Sequence, residues 1–299
     1  MTVVDERAIA LAALENFPVE VRRVTRAAHS FNTIYRVETA RGTYALRVGP
    51  TLRIHTAGTA AAEAEWQRAL VADGFAVPDV VLTSSGEPMV TVEGRTCVLF
   101  TWVHGRLMRP RLGPSRARLL GRLMARLHDH PVRRDFDVLH ADKVLYWLVP
   151  DRLADVPAHG KVLTEARDNA QELIDQLWAG GEPQLIHGDL TAANVIEAPG
   201  AGPVPIDFQD LVIGFPEQDI SFTLASFGRR DDREAMHQAF RAGYSEIRPW
   251  PDVSDTVMQG LIIARGLHQL NITLALADGP LPQDYLDYHG AKAKTWLQG

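Results

Sequence analysis

Four side chains within residues 184–220 (QLIHGDLTAANVIEAPGAGPVPIDFQDLVIGFPEQDI) could between them handle a proton and a divalent cation: His187, Asp189, Asn194 and Asp207. Carboxylate and amide oxygens suit a hard cation, and a carboxylate can take the proton of a hydroxyl. The turn residues Pro199, Gly200, Gly202 and Pro203 predict that Asn194-Val195-Ile196 folds back on Val204-Pro205-Ile206 as a short hairpin, aiming Asn194 and Asp207 at one site. His187 could also be a zinc ligand of a metal-dependent hydrolase. No HxxxH, no CxxC and no second histidine cluster accompanies it, so bracing the loop by hydrogen bonds is the better reading.

An Asp, an Asn five positions on, and an Asp at the end of the following strand reproduce the layout of protein kinases. There the first Asp accepts the hydroxyl proton, and the Asn and second Asp hold Mg2+ on the nucleotide phosphates. On that layout Asp189, Asn194 and Asp207 are the catalytic residues, with Asn194 and Asp207 as metal ligands. With His187-Gly188-Asp189-Leu190, Asn194 and Ile206-Asp207-Phe208, the chain resembles the aminoglycoside phosphotransferase and choline kinase-like enzymes, small-molecule relatives of the protein kinases. The resemblance implies an α+β, bilobal protein-kinase-like fold. Residues 1–103 would form a nucleotide-binding lobe with an antiparallel sheet and one main helix. Residues 104–299 would form a larger, mostly helical lobe with the catalytic loop and the acceptor site. It further implies ATP or GTP and Mg2+ as cofactors, a small-molecule hydroxyl acceptor, and Asp219 as a second brace of the catalytic loop.

On the nucleotide side, the alternation of Ile34–Thr39 and Tyr44–Val48 about Arg41-Gly42 predicts a hairpin, which the resemblance places over the phosphates. The approach to it, Ser30-Phe31-Asn32-Thr33, has no glycine, so phosphate contacts fall to Ser30, Asn32, Thr33 or backbone amides. Strand Thr96–Trp102 leads out through His104-Gly105, an exit that the resemblance makes the adenine-binding hinge, with Phe100 and Trp102 among the nucleotide-binding residues. Arg47 stands where the kinase pattern has a lysine. On the following helix, Thr59–Ala72, the apolar face is Ala62, Trp66, Ala69 and Leu70, and Glu63 lies on or beside it. A core-facing carboxylate is costly unless paired, so an Arg47–Glu63 ion pair is expected, aiming the guanidinium at the nucleotide phosphates.

Further strands at Val19–Val24, Val80–Thr83 and Met89–Val92 would complete a sheet of about five strands. Helices are expected at 5–15, 114–128, 160–179, 217–227, 231–246, 252–277 and 283–297. After Asp207-Phe208 come Gln209-Asp210, the expected floor of the acceptor site, walled by helices drawn from 150–180 and 231–277. Asp210, Glu217, Asp231, Asp232 and Glu234 would give it an acidic rim favouring neutral or cationic acceptors.

The 299 residues are 46% hydrophobic and carry a net charge of -6, which argues for a globular chain and against nucleic acid as a partner. Cys97 sits in an apolar run, as a small buried hydrophobe would. Asp5 and Glu6 stand where a signal peptide would be positive, and no stretch reaches about 18 apolar residues, so a cytoplasmic protein without membrane segments is expected. Two other functions stay open. The tract Ala239–Tyr244 is loosely similar to bacterial stress-response protein Ser/Thr kinases, and a kinase-like binding module without activity is the other.

Overall fold

Strict alternation along two neighbouring strands decides where the charged residues of the sheet go. In the computed structural model, which describes residues 6–131, 135–228, 230–277 and 279–299, Leu46 pairs with Leu99, Arg47 with Val98 and Val48 with Cys97. Successive side chains point to opposite faces. Leu46, Val48, Cys97 and Leu99 therefore join one apolar cluster, while Val98 and Phe100 join another. Arg47 lies on the face of Val98.

The chain divides into two compact units. The first comprises residues up to Arg53, Ala57–Arg106 and Ile196–Gln209. In it, α1 (Glu6–Leu14) precedes β1 (Val21–His29), β2 (Thr33–Thr39) and β3 (Thr43–Val48); α2 (Thr59–Ala72) precedes β4 (Val80–Val81), β5 (Val90–Val92) and β6 (Arg95–Thr101). The strands form one six-stranded antiparallel sheet, in the order β1-β2-β3-β6-β4 with β5 also on β6, rather than about five strands. Ile9, Ala13 and Leu14 of α1 pack with Tyr35, Val37, Leu46 and Leu99. Cys97 is fully buried there, and burial pushes its thiol up to about 11. The first position of the helix expected at 5–15 lies outside the described residues.

β4 is shorter than the expected Val80–Thr83 because Thr83 is used in a turn. Its N–H donates to Glu87 O at 2.8 Å, and its hydroxyl accepts from Glu87 N at 2.9 Å. Conversely, β1 runs five residues further than the pattern predicts, because its partner β2 continues the ladder through His29↔Thr33.

The second unit comprises Ile54–Thr56, Leu107–Val195 and Asp210–Gly299. After a short β7 (Arg106–Leu107), the chain forms α3 (Pro114–Asp129), α4 (Gly160–Gly180) and β8 (Gln184–Ile186). A hairpin of β9 (Val195–Ala198) and β10 (Gly202–Pro205) comes next, as the turn residues required, and returns the chain to the first unit from Ile196 to Gln209. β11 (Val212–Gly214) resumes the second unit and pairs antiparallel with β8. The chain ends in α5 (Pro216–Ser226), α6 (Arg233–Ser245), α7 (Asp255–Leu276) and α8 (Gln283–Gln298). α7 starts at Asp255 rather than 252 because Ser254 caps it, its hydroxyl accepting from Val257 N. α4, α7 and α8 enclose the core of Leu163, Ala170, Ile174, Leu261, Leu270 and Leu286. α3 meets α6 so closely that a Cβ on Gly121 would lie 2.1 Å from Phe240 O, and one on Gly243 2.0 Å from Arg118 O. No helix among the described residues is long and apolar enough to cross a membrane.

Candidate active site

In the first unit, α2 presents Glu63 to the α2-facing side of β3, and the expected pair forms. Arg47 Nη1 donates to Glu63 Oε1 at 2.8 Å and Nη2 to Oε2 at 2.5 Å, with the Glu63 side chain 1% exposed. The guanidinium lies over the Phe100 ring at 5.2 Å. Its Nη1 also donates to Asp207 Oδ1 at 3.2 Å. Burial opposes the arginine's charge, but the carboxylates of Glu63 and Asp207 outweigh it and hold Arg47 more firmly protonated. Asp207 follows β10 with φ 61°, a left-handed conformation uncommon for a residue with a Cβ. The next residue, Phe208, is fully buried edge-on against Trp66 of α2 at 5.3 Å, which fixes where the strained residue sits.

Arg47, Glu63, Phe100 and Asp207 are thus brought together. The other nucleotide-side residues are placed differently. Ser30 is exposed in the β1–β2 turn, and its N–H donates to Asn32 O at 3.0 Å. Asn32 is buried with no hydrogen-bond partner at Oδ1. Thr33 is committed inside the unit: its hydroxyl donates to Glu6 Oε2 at 2.9 Å and stands 2.8 Å from His29 Nδ1. Trp102 is half-buried beside Arg36, 5.6 Å from its ring.

In the second unit, β8 delivers the chain to His187, and Asp219, in the first turn of α5, holds the loop that begins there. Its Oδ2 accepts from His187 N at 3.1 Å and its Oδ1 from Gly188 N at 3.0 Å. His128 Nε2 lies 3.1 Å from Oδ2, and Tyr244 OH lies 2.9 Å from His128 Nδ1. Burial would raise the Asp219 pKa, but His128, His187 and these hydrogen bonds carry it below the usual carboxylate range. Gly188 cannot be another residue: its φ is +77°, and a Cβ would stand 2.0 Å from Asp210 O. His187 is fully buried, and its Nδ1 accepts from Asp189 N at 3.3 Å.

This frame presents Asp189, whose side chain is 29% exposed. Asn194 Nδ2 donates to Asp189 O at 2.9 Å and to Oδ2 at 2.8 Å. The amide N–H2 is therefore spent on the loop, and Asn194 Oδ1 is the oxygen left to serve as a metal ligand. On the other carboxylate oxygen, Arg265 Nη2 donates to Oδ1 at 2.9 Å.

Arg265 was missed by sequence reasoning, although the signal was present. It is the only formally charged residue between Thr256 and Leu276, in a mostly apolar helix. As with Glu63, a charge at such a position calls for a buried partner. His55 was also missed, and a lone loop histidine gives no such signal. Its Nε2 donates to Asp210 Oδ1 at 2.9 Å. Asp210 is therefore buried rather than part of an acidic rim, and His55, Arg265 and His187 keep its pKa low against the opposing effect of burial. Gln209 is half-buried in the short turn Phe208–Asp210. Of the remaining rim residues, Asp232 is engaged by Arg230 at 2.8 Å. Among the described residues no group of three or more His, Cys, Asp and Glu side chains is placed to hold a metal ion.

The model of the phosphotransferase enzyme family matches residues 23–254, a span that includes Arg47, Glu63, Asp189, Asn194, Asp207 and Asp219 but not Arg265. The chain belongs to this family. It is a phosphotransferase of the α+β, kinase-like fold, with an antiparallel N-terminal sheet and a helical C-terminal part. Among solved structures, a microcompartment-associated aminopropanol kinase is 23% identical, with a TM-score of 0.76 over 97% of this chain and 95% of that one. An amicoumacin kinase in complex with AMP-PNP and Ca2+ is 18% identical, with a TM-score of 0.75 over 98% and 93%. Spectinomycin phosphotransferase, in complex with ADP and spectinomycin, is 13% identical, with a TM-score of 0.58 over the whole of both chains. These likenesses show the fold. No curated protein matches the sequence.

Proposed function

We propose that this phosphotransferase moves the γ-phosphoryl group of ATP to a hydroxyl of a small molecule that is uncharged or carries an amine. The observation that carries the reading is Asp189: a part-exposed carboxylate in the loop that Asp219 holds, with Oδ1 held by Arg265 and Oδ2 by Asn194. A carboxylate so held can accept the acceptor's O–H. In the transfer, the acceptor oxygen bonds to the γ-phosphorus, the bond from that phosphorus to the ADP oxygen breaks, and the hydroxyl proton ends on Asp189.

Arg47, fixed by Glu63, supplies a forked donor for nucleotide phosphate. Asn194 Oδ1 and the Asp207 carboxylate are hard oxygen donors of the kind Mg2+ takes, and two protein ligands are enough for an ion that keeps phosphate and water oxygens. When bound, the ion neutralises charge on the phosphates. Nucleotide use is supported by similar structures of this fold, which hold AMP-PNP, ADP or AMP. An amine-bearing or neutral acceptor is favoured because the group that meets it, Asp189, is a part-exposed carboxylate.

The reading is tested by incubating the protein with Mg-ATP or Mg-GTP and panels of aminated, neutral and phosphorylated hydroxyl compounds, with casein-like protein in parallel. Phosphorus NMR and mass shift report the product. A new phosphate ester on an aminated or neutral compound is expected. A phosphorylated protein, or a preference for phosphorylated acceptors, would overturn the acceptor assignment.

A further inference from the structure

Resting on the assignment of Asp189 above, we propose that Arg265 is a positioning residue for phosphoryl transfer, one that grips the catalytic carboxylate rather than the fold. A buried guanidinium is expensive, and replacing a buried ion pair by apolar side chains is often neutral or stabilising. Arg265 is 6% exposed on a helix with no other formal charge from Thr256 to Leu276, and beyond the buried Asp210 nearby the fold has little use for its charge. Nor does Asp189 need a counter-ion on grounds of burial, because its side chain is 29% exposed. The cation is brought to a carboxylate that water already reaches. What it adds is geometry.

The guanidinium is itself held. Phe222 of α5 lies under it at 4.5 Å and Trp147 stands at 5.9 Å, while Nη1 reaches towards Tyr146 OH at 3.5 Å. Tyr146 is in turn stacked on His268, one turn along α7, with ring centroids 4.1 Å apart. His268 is anchored by its Nδ1, which donates to Val144 O at 3.0 Å. The groups around Arg265 that could change charge are Asp189, Asp210, Tyr146, His55 and His268. Burial and the nearby arginine hold His268 neutral down to about 3, so His268 adds no cation beside Arg265 above that pH.

The result is a carboxylate gripped at both oxygens from two directions, by a long helix and by the loop's own Asn194. Its plane is fixed, and so are the lone pairs that meet the acceptor hydroxyl. Phosphoryl transfer gains most of its rate from such positioning, and misplacement by about 1 Å can cost on the order of 100-fold.

The test compares wild type, Arg265→Ala and Arg265→Lys for kcat and nucleotide KM, using Mg-ATP with 2-aminoethanol and, separately, with water as acceptor, alongside thermal melting. Arg265→Ala should lose kcat by about 100-fold with nucleotide KM within about twofold. Dilute guanidinium chloride, well below denaturing levels, should restore part of the loss. Arg265→Lys, which keeps charge without the planar fork, should fall between the two. Unchanged kcat per folded molecule, a loss confined to nucleotide KM, or a loss that follows only the folded fraction would overturn the proposal. If Arg265→Ala does not fold, the kcat-against-KM split of Arg265→Lys decides by the same criteria. Failure of the wild type to turn over Mg-ATP would instead overturn the ATP reading and this inference with it.

Discussion

The two units each hold a part-exposed carboxylate next to an arginine, by different routes. In the first, Arg47 is shared between a buried carboxylate, Glu63, and the half-exposed Asp207, and all three sit on a sheet, a helix and a hairpin. In the second, Arg265 comes from a helix far along the chain, and Asp189 is supported by backbone N–H groups gathered on Asp219. The first cluster depends on one arginine, so cutting it should disturb everything together. The second is divided between a loop frame and a cation, so its members should separate by experiment.

The largest expected effect is in the second unit. Asp189→Asn should reduce transfer by roughly 100 to 10,000-fold, the usual range for loss of a general base, while the affinity for Mg-ATP stays at the wild-type value. Isothermal titration beside initial rates checks both halves. A mutant that bound nucleotide poorly but transferred normally would reverse the roles given to the units.

A smaller effect distinguishes how the units respond to acid. His268 is buried and its folded pKa is depressed to about 3, against 6.5 for the free side chain. The unfolded chain therefore takes up a proton that the folded one refuses. The stability this group contributes is complete above pH 6.5 and declines as pH falls from there towards 3, by about 1.4 kcal/mol per pH unit. Denaturant melts of His268→Gln should show a shallower decline over that window than wild type, whereas equal slopes would contradict it.

The Arg47–Glu63 pair predicts coupling rather than a single large loss. Glu63→Gln should raise the KM for ATP and lower kcat, and a double-mutant cycle with Arg47→Ala should give about 0.5 to 3 kcal/mol of interaction. Strict additivity would mean that the two act independently. The smallest effect is expected at an ion pair that looks just as good. Arg118 and Arg122 of α3 both reach Glu246, but both arginines are exposed. Glu246→Gln should leave the melting temperature essentially unchanged, because solvent screens such pairs.

The same contrast explains what could be read from the sequence. Arg47 and Glu63 were legible because each stands in a short periodic element where a charge among apolar neighbours demands a partner, and only one partner was near in the chain. The β9–β10 hairpin was legible from its turn residues, and Asp219 from the family pattern. Arg265 carried the same kind of signal, but its partner is 76 positions away and helix periodicity says nothing about which loop α7 will meet. Asp210 was misplaced on an acidic rim because its acidity was visible while His55, 155 positions earlier, was not. Thr83 looked like strand and became a turn, since a hydroxyl that can cap its own backbone competes with the ladder.

The central claim is that the carboxylate shared by Arg47 serves the metal-bound nucleotide while Asp189 serves the acceptor. Asp207→Asn tests it most directly, with Mg2+-dependent turnover of ATP and Mg-ATP affinity measured in one series against wild type and with the fold checked by circular dichroism. The account predicts a folded protein that loses turnover together with its Mg2+-dependent nucleotide affinity. Wild-type turnover with an unaltered Mg2+ requirement in Asp207→Asn would contradict it.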